Sequence, residues 1–170
     1  MASFDVAFDW LMESEDPRRT WAAKIDNNGG GVIAGINSKT FPQAFADIQA
    51  IPQAERGLAV KTFYRVNFWN TWYAQLASDE VAKRVHDMAV NAGPATAVRL
   101  LQEALNEAGA PAVTIDGAWG PHTLGETNAC DEFQLVSAFK ACRSQYYREI
   151  AERNSADQDD LRGWLARAER

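Results

Sequence analysis

The stretch FDWLMESEDPRR, residues 8–19, sets four carboxylates at the end of an apolar run and then reaches a proline. Apolar side chains recur at helical spacing through this region, which predicts an amphipathic helix over residues 4–15. The helix macrodipole favours cations at a helix C-terminus, yet this end carries Glu13, Glu15 and Asp16. Acids in this position are either solvated surface or include one carboxyl group that the protein uses.

The remaining chain is predicted to be mostly helical, with one small irregular or β element near residues 26–40. That element contains DNNGGGVIAGIN, in which the glycines and asparagines predict a turn and VIAGI predicts a short strand. The stretch VTIDGAWGPHT, residues 113–123, predicts a turn-rich loop. Helical spacing and capping residues predict the other helices at residues 42–51, 53–66, 79–92 (with Ser78 as N-cap), 94–107 and 131–153, followed by a short helix that is capped by Ser155 or Asp157 and runs through Arg167.

The overall composition limits the classes of function. The 170 residues suit one compact domain, or one domain with a small integral subdomain. A net charge of -6 without a strong basic cluster argues against nucleic acid as a partner. No apolar stretch approaches the ~18 residues of a membrane span, so we expect no membrane insertion. The N-terminus lacks a basic region followed by an apolar core, and we therefore expect synthesis in the cytoplasm without a cleavable signal.

The cysteines and histidines do not indicate a metal site or a disulfide. Cys130 and Cys142 are predicted on one helix, about 18 Å apart at ~1.5 Å per residue, so they cannot bridge each other. His86 and His122 are isolated, and we expect each to be structural or exposed. The sequence has no metal-ligand spacing, no dinucleotide fingerprint, no phosphate loop and no nucleophile-elbow motif. We therefore expect no cofactor and no metal.

The chemistry that remains depends on carboxylates, amides, hydroxyls and six tryptophans. This inventory suits carbohydrate chemistry, because glycosidases use carboxyl groups around an oxocarbenium-like transition state and aromatic faces stack on sugar rings. Acids and tryptophans are common in proteins, so the inventory by itself is only a weak indication.

Five segments resemble, in order along the chain, the phage-type N-acetylmuramidases of glycoside hydrolase family 108, which include prophage secretion-activator proteins. They are FDVAFDWLMESED (4–16), YRVNFW (64–69), DMAVNAGPATAVRLLQEAL (87–105), IDGAWGPHTL (115–124), and YYREIAERN with LRGWLARA (146–168). The segment IDGAWGPHTL is similar to the DGxxGPxT motif of the family's peptidoglycan-binding-like part. The resemblance covers essentially the whole chain, and the combination of VNxG, DGxxGPxT and GW is more specific than any one of these motifs.

This resemblance implies a lysozyme-like, mostly α fold. Residues 1–92 are expected to form a catalytic part and residues 93–170 a helical peptidoglycan-binding-like part, packed as one globular unit. The implied reaction is hydrolysis of the β-1,4 bond after N-acetylmuramic acid, with peptidoglycan glycan strands as the partner. The enzyme is expected to reach the cell wall or periplasm through a holin or a specialised route, as a phage endolysin or a prophage-derived enzyme does.

The resemblance places the glutamate of the family's Glu-Gly-Gly motif at Glu15, where this chain reads Glu15-Asp16-Pro17. Proline fixes its own φ and restricts the residue before it, so the backbone after the acid is expected to follow a different path. Glu13 is a second candidate, but it lies outside the family register. Burial and the negative end of the helix dipole would both help a glutamate at position 15 to keep the proton that a general acid donates.

A glutamate acid needs a second group that positions water or stabilises charge, and Asp26, before the glycine turn, is the candidate. Asn37 and Thr40 follow that turn and are expected to orient the water. The family usually has threonine directly after Gly-Ile, where this chain has Asn37.

The remaining candidates are expected to contact the glycan. Tyr64, Phe68 and Trp69 could form a sugar-stacking wall, although aromatic side chains at this spacing are more often part of a core. Asn91 is expected either to bind an N-acetyl group or to cap its helix beside Gly93.

Three alternatives stay open at this point. The altered motif fits a catalytically inactive relative that binds peptidoglycan through the same cleft. An active glycosidase could instead act on another N-acetylated glycan, such as chitin. The third alternative is a structural phage protein that contacts the wall and assembles with partners.

Overall fold

The computed structural model describes residues 1–26, 29–154 and 158–170. Over these residues the chain is mostly helical with one small antiparallel sheet, which confirms the predicted lysozyme-like, mostly α fold class. The helices are α1 (Phe4–Glu15), α2 (Pro42–Ala50), α3 (Arg56–Phe68), α4 (Asp79–Ala92), α5 (Pro94–Glu107), α6 (Pro121–Ala129), α7 (Glu132–Arg153) and α8 (Gln158–Ala168), and the strands are β1 (Lys24–Ile25), β2 (Gly31–Ile33) and β3 (Ile36–Asn37). None of the helices in the described ranges is both long enough and apolar enough to cross a bilayer.

The chain divides into two compact units. We call Ser3–Trp69 the N-terminal unit, and Asn70–Arg170 together with Met1–Ala2 the C-terminal unit. The N-terminal unit contains α1, the sheet, α2 and α3, and the C-terminal unit contains α4 to α8. The boundary expected from the resemblance, between residues 92 and 93, lies inside the C-terminal unit, between α4 and α5. As a division between a catalytic and a wall-binding part, it stays a prediction.

Helix α1 is held in the N-terminal unit by the apolar face that its sequence predicts. Its buried side chains are Phe4, Ala7, Phe8, Leu11 and Met12, and the helix packs on α3. Burial of a side chain of the size of Phe or Leu contributes roughly 1.5–3 kcal/mol. Because this face is anchored over more than two turns, from Phe4 to Met12, the position of the helix end is fixed as well.

The sheet of the N-terminal unit is a small antiparallel meander, in the order β1-β2-β3. Val32 lies opposite Asn37 and Ile33 opposite Ile36, so the turn between β2 and β3 consists of two residues, Ala34–Gly35. Both turn residues have left-handed backbone, with φ of 45° and 82°. A two-residue turn with positive φ at both central positions matches the twist of antiparallel strands.

Aromatic side chains close the core between this sheet and the helices. The Phe45 ring of α2 covers Gly31 so closely that a Cβ on Gly31 would lie 2.5 Å from Cζ of the ring. Phe41 meets Phe63 and Phe68 of α3 edge-on, with ring centroids 5.0 Å and 6.1 Å apart. These contacts join α2, α3 and the sheet into one packed body.

The C-terminal unit is organised around a buried carboxylate. Asp87 of α4 is fully buried, with one oxygen 2.5 Å from Nη2 of the buried Arg143 on α7 and the other 2.7 Å from Nη2 of Arg167 on α8. The ion cluster therefore joins three helices. The neighbouring His86 is also fully buried, and burial lowers its pKa to about 4, so it is neutral at pH 7. His122 is exposed, and both histidines therefore lie where the sequence analysis expects them.

A buried glutamine joins α5 to the loop before α6. The Gln102 amide donates to Oδ1 of Asp116 at 2.9 Å and to the Ala118 carbonyl at 3.0 Å. Its own oxygen accepts from the backbone amides of Asp116 and Gly117, at 3.1 Å and 2.9 Å. The bonds that Asp116 accepts from Ala118 and from Gln102 lower the pKa of this carboxyl group. The loop is thus held by a single side chain that both donates to it and accepts from it.

The prediction missed one helix, α6, and began another helix too early. The turn-rich loop predicted up to residue 123 ends earlier, because Pro121 occupies the first turn of α6, where its missing N–H is harmless. The helix predicted from residue 53 begins as a 3-10 turn, Gln53–Glu55, before α3. The predicted caps Ser155 and Asp157 lie outside the described residues.

The prediction that both cysteines lie on one helix is wrong. Cys130 follows α6, and α7, which carries Cys142, begins only at Glu132. Residues 130–131 separate the two helices, and Asp131 is the N-cap of α7, because its carboxylate accepts from the Gln134 amide at 2.9 Å. Both cysteines are free thiols, one half-buried and one buried.

The ion cluster predicts a large and specific loss of stability. Replacing Asp87 with alanine is expected to lower the free energy of unfolding by about 3–5 kcal/mol, because Arg143 loses its carboxylate in a fully buried position. Urea unfolding followed by circular dichroism measures this loss. As a control, Glu149→Ala removes an exposed pair with Arg153 on α7, and it should cost less than about 0.5 kcal/mol. Equal losses in the two variants would contradict a central role for the cluster.

Candidate active site

Glu15 is the last residue of α1, and its side chain reaches the turn between β2 and β3. It is half-buried, whereas Glu13 is exposed. A Cβ placed on Gly35 would lie 2.5 Å from Oε2 of Glu15. Glycine at position 35 is therefore required twice, by its φ of 82° and by the carboxylate that lies against it.

Tyr64 of α3 approaches the same turn from inside the core. Its hydroxyl donates to the Ala34 carbonyl at 2.7 Å, and a Cβ on Gly35 would lie 2.6 Å from its oxygen. The side chain is 1% exposed, with its ring packed near those of Phe8 and Phe68. A sugar ring cannot stack on a face that protein atoms cover, so the structure gives Tyr64 a role in holding the turn instead.

Asp26 and Asn37 form a hydrogen-bonded pair at the other end of the hairpin. One oxygen of the half-buried Asp26 accepts from the Gly30 amide at 2.7 Å, and the other accepts from the side-chain amide of Asn37. The oxygen of the Asn37 side chain accepts from the Lys39 amide at 2.7 Å, which sets the orientation of its amide group. The structure therefore brings together two of the residues that the sequence analysis selects.

The Glu15 carboxylate lies against the turn of the β2–β3 hairpin, and Asp26 binds Asn37 at the open end of the same hairpin. Glu15 covers the turn at Gly35, and Asn37 follows two residues later in β3. A strand advances about 3.3 Å per residue, so roughly 7 Å of backbone separates these two attachment points. Within the described ranges, no group of three or more His, Cys, Asp or Glu side chains is arranged to hold a metal ion.

Asp16, directly after Glu15, is buried rather than solvated, and the interpretation of this acid as solvated surface is wrong. It is 4% exposed, and its Oδ2 accepts from the Trp21 amide at 2.7 Å while Oδ1 accepts from the Thr20 hydroxyl at 3.1 Å. Asp16 therefore organises the loop that follows α1. After Pro17 the backbone passes through two left-handed residues, Arg19 and Trp21, with φ of 51° and 52°.

The other predicted substrate contacts, Trp69, Thr40 and Asn91, are half-buried or exposed. Trp69 is half-buried, and its ring meets Phe4 edge-on with centroids 5.4 Å apart. Thr40 is exposed, three residues beyond the end of β3. Asn91 is exposed on α4, in the C-terminal unit, and its amide donates to the Asp87 carbonyl at 3.0 Å. This bond is the helix-capping alternative that the sequence analysis left open.

One important residue of this region escaped the sequence analysis. Arg56, at the start of α3, is buried and donates to three backbone carbonyls, those of Ile51, Trp21 and Gln49, at 2.9 Å, 3.0 Å and 2.8 Å. An arginine near a helix start carries no pattern in sequence that distinguishes it from a surface charge. Its role depends on carbonyls that only the folded chain brings within reach.

Comparison with known proteins agrees with this architecture. Residues 8–93, just over half of the chain, match the family described as Glycosyl hydrolase 108, and residues 96–169 match the family described as Predicted Peptidoglycan domain. The chain belongs to glycoside hydrolase family 108. Among solved structures it is similar to the "Structure of Brucella abortus SagA", with a TM-score of 0.63 at 20% sequence identity, over 97% of this chain and 92% of that chain. No curated protein matches the chain.

Family membership confirms the resemblance found in the sequence and gives the class of function. The chain thereby falls in the N-acetylmuramidase class of glycoside hydrolases, and peptidoglycan is the substrate of this class. The C-terminal match to a peptidoglycan domain agrees with this substrate. The likeness to the solved structure supports the fold.

The close approach at Gly35 predicts a selective loss of activity. Gly35→Ala is expected to lower the hydrolysis rate by at least about 100-fold, because the new methyl group displaces the carboxylate of Glu15. Gly109→Ala is the matched control, since Gly109 has a similar φ of 80° but no atom within 4 Å of the added methyl group. Both variants should lose roughly 1–3 kcal/mol of stability from backbone strain. Thermal unfolding measures the loss of stability, and peptidoglycan digestion measures the loss of activity. Equal activities in the two variants would show that the contact between Gly35 and Glu15 does not matter for hydrolysis.

Proposed function

We propose that this protein cleaves the β-1,4 bond after N-acetylmuramic acid in peptidoglycan, with Glu15 as the general acid and Asp26 as the second catalytic group. The observation that carries the proposal is the position of Glu15, half-buried against the turn of the β2–β3 hairpin, while Asp26 binds Asn37 on β3 of the same hairpin. Glycosidases need two carboxyl groups about 5–10 Å apart, and a short hairpin that contacts both groups is a suitable frame for such a pair.

The proposed role of Glu15 is to protonate the oxygen of the leaving sugar. The carboxyl group lies at the C-terminal end of α1. The adjoining face of α1, including Leu11 and Met12, is fully buried and apolar.

The proposed role of Asp26 is to act from the carboxylate form, on water or on the charge that develops in the sugar. Two N–H donors, from Gly30 and Asn37, hold the carboxylate in one orientation and stabilise its negative charge. The Asn37 side chain uses one N–H for Asp26 and one lone pair for Lys39. Its second N–H and second lone pair are suited to orient a water molecule beside Asp26.

The glycan is proposed to contact three further side chains. Thr40 is exposed and can donate a hydrogen bond, and the half-buried Trp69 can offer part of its ring to a sugar. Asn91 has one amide hydrogen in its helix-capping bond, which leaves its oxygen for the N–H of an acetamido group. We propose these three residues as substrate contacts and Tyr64 as a residue that supports the turn.

We further propose that the enzyme acts on the wall after release through a holin or a specialised secretion route. Its action on peptidoglycan requires it to meet the wall, and the net charge of -6 disfavours adsorption to an anionic polymer by charge alone. Recognition is therefore assigned to local contacts of the proposed site residues and of the peptidoglycan domain.

A catalytically inactive, wall-binding protein is the second candidate, and the sequence Glu15-Asp16-Pro17 in place of the family motif favours it. Such a protein would sediment with purified peptidoglycan without releasing fragments. The comparison of binding with cleavage therefore separates the two candidates.

Replacement of Glu15 tests the proposal most directly. Glu15→Gln keeps the shape of the side chain but lacks the acidic proton, and it is expected to lower hydrolysis by about 100-fold or more. Glu13→Gln, two residues earlier on the exposed side of α1, is the matched control and should retain wild-type activity. Mass spectrometry of soluble fragments from purified Gram-negative peptidoglycan measures both. Fragments from the wild type should end in reducing N-acetylmuramic acid. If Glu13→Gln loses hydrolysis and Glu15→Gln retains it, the general acid is not Glu15.

Replacement of Asp26 tests the second role. Asp26→Asn keeps the acceptor for the Gly30 amide but removes the negative charge, so folding should persist while the rate falls by about 100-fold. The exposed Asp47→Asn on α2 serves as the control. Wild-type rates in Asp26→Asn would remove Asp26 from the mechanism.

A further inference from the structure

The loop that follows Glu15 is fixed at both of its ends, and Asp16 forms the first attachment. The Asp16 amide donates to the Met12 carbonyl at 3.0 Å, which ties the residue to the last turn of α1. Its carboxylate accepts from the Trp21 amide and from the Thr20 hydroxyl, at 2.7 Å and 3.1 Å. Residues 16–21, which we call the strap, are therefore closed into a loop by a single buried carboxylate.

The far end of the strap is attached to the start of α3. The Trp21 carbonyl accepts from Arg56 at 3.0 Å, and the Thr20 carbonyl accepts from Gln53 at 2.9 Å. The Trp21 indole lies over Gly57, where a Cβ would be 3.2 Å from Cε2 of the ring. Trp21 therefore serves as an anchor on α3. The strap joins the residue that follows the proposed acid to a helix start that Arg56 fixes by two further carbonyl contacts.

We propose that Asp16 is a positioning residue for Glu15 and that it sets the backbone at the end of α1 through the strap. This inference rests on the proposed role of Glu15. The Glu15 side chain is constrained on one side by the turn at Gly35, and its backbone is constrained on the other by the bonds of Asp16. Catalytic groups lose rate when they are displaced by about 1 Å, so a residue that fixes the adjoining backbone controls the rate without contacting substrate.

The chemistry of the attachment predicts how substitutions rank. The strap needs an oxygen acceptor at position 16 for the part-buried Trp21 amide, and an amide side chain supplies one as well as a carboxylate does. Asp16→Asn should therefore preserve the strap. Asp16→Ala leaves the Trp21 amide without this acceptor, and the strap should open locally. A residue that took part in the chemistry through its charge would instead lose function equally in both variants.

The test compares Asp16→Ala, Asp16→Asn and the exposed control Asp47→Ala in the full chain. Initial rates of fragment release over a range of peptidoglycan concentrations separate kcat from KM, and hydrogen exchange reports the protection of the Trp21 amide. We expect Asp16→Ala to lose about 30–100-fold in kcat with KM within about twofold, and to lose protection at Trp21. Asp16→Asn should retain kcat within about fivefold and keep the protection, and Asp47→Ala should match the wild type.

Several results would overturn the inference. Unchanged kcat in Asp16→Ala, a loss that appears only in KM, or a loss in Asp16→Asn equal to that in Asp16→Ala would each contradict a positioning role. A fall in rate that only follows the folded fraction, measured by circular dichroism, would also contradict it. Glu15→Gln in the same assay distinguishes a failure of the proposed function from a failure of the role of Asp16. If the wild type releases no fragments or Glu15→Gln stays active, the proposed function fails, and the role of Asp16 fails with it. If only the Asp16 variants behave unexpectedly, the proposed function stands.

Discussion

The N-terminal unit depends on the meeting of three elements at the turn Ala34–Gly35. Helix α1 brings the Glu15 carboxylate to it, α3 brings the Tyr64 hydroxyl, and the hairpin supplies a residue without a side chain. Protein interiors are packed like crystals, so an added atom at this point forces one of the three elements to move. The approach of α1 and of α3 to the hairpin and the position of the proposed acid therefore meet in this shared contact.

Structural features that depend on neighbouring residues in the chain were predicted well from the sequence. The amphipathic stripe of α1 gave the helix over residues 4–15, and Ser78 caps α4 by accepting from the Val81 amide at 3.1 Å. The order of the motifs predicted the family, which the comparison confirms. The assignment of Glu15 and Asp26 as catalytic stays a prediction, because spacing along a sequence does not report where a carboxylate meets a glycan.

Features that depend on distant partners were not predicted. The burial of Asp16 depends on Thr20 and Trp21, whose positive φ at position 21 no propensity would suggest. The ring of Tyr64 was expected at a sugar, but its neighbours on α1 and α3 enclose it. Polar residues that fold inward look like surface residues in a sequence, since composition and periodicity record only the type of the side chain. The structure distinguishes them by the hydrogen bonds that compensate for their burial.

The contacts of Gln102 have a consequence for how this chain can be altered or recombined. One amide group satisfies the backbone of residues 116–118, and it lies fifteen residues upstream of the glycine that it contacts. Leu101-Gln102 and Asp116-Gly117 belong to two separate motif segments, 87–105 and 115–124, but their contacts make them one structural unit. A crossover between α5 and α6 would set the glutamine of one parent against the loop of another, and a mismatched loop would leave a buried amide unsatisfied. Exchange of this region between related proteins should therefore preserve the fold only when residues 94–124 are transferred together.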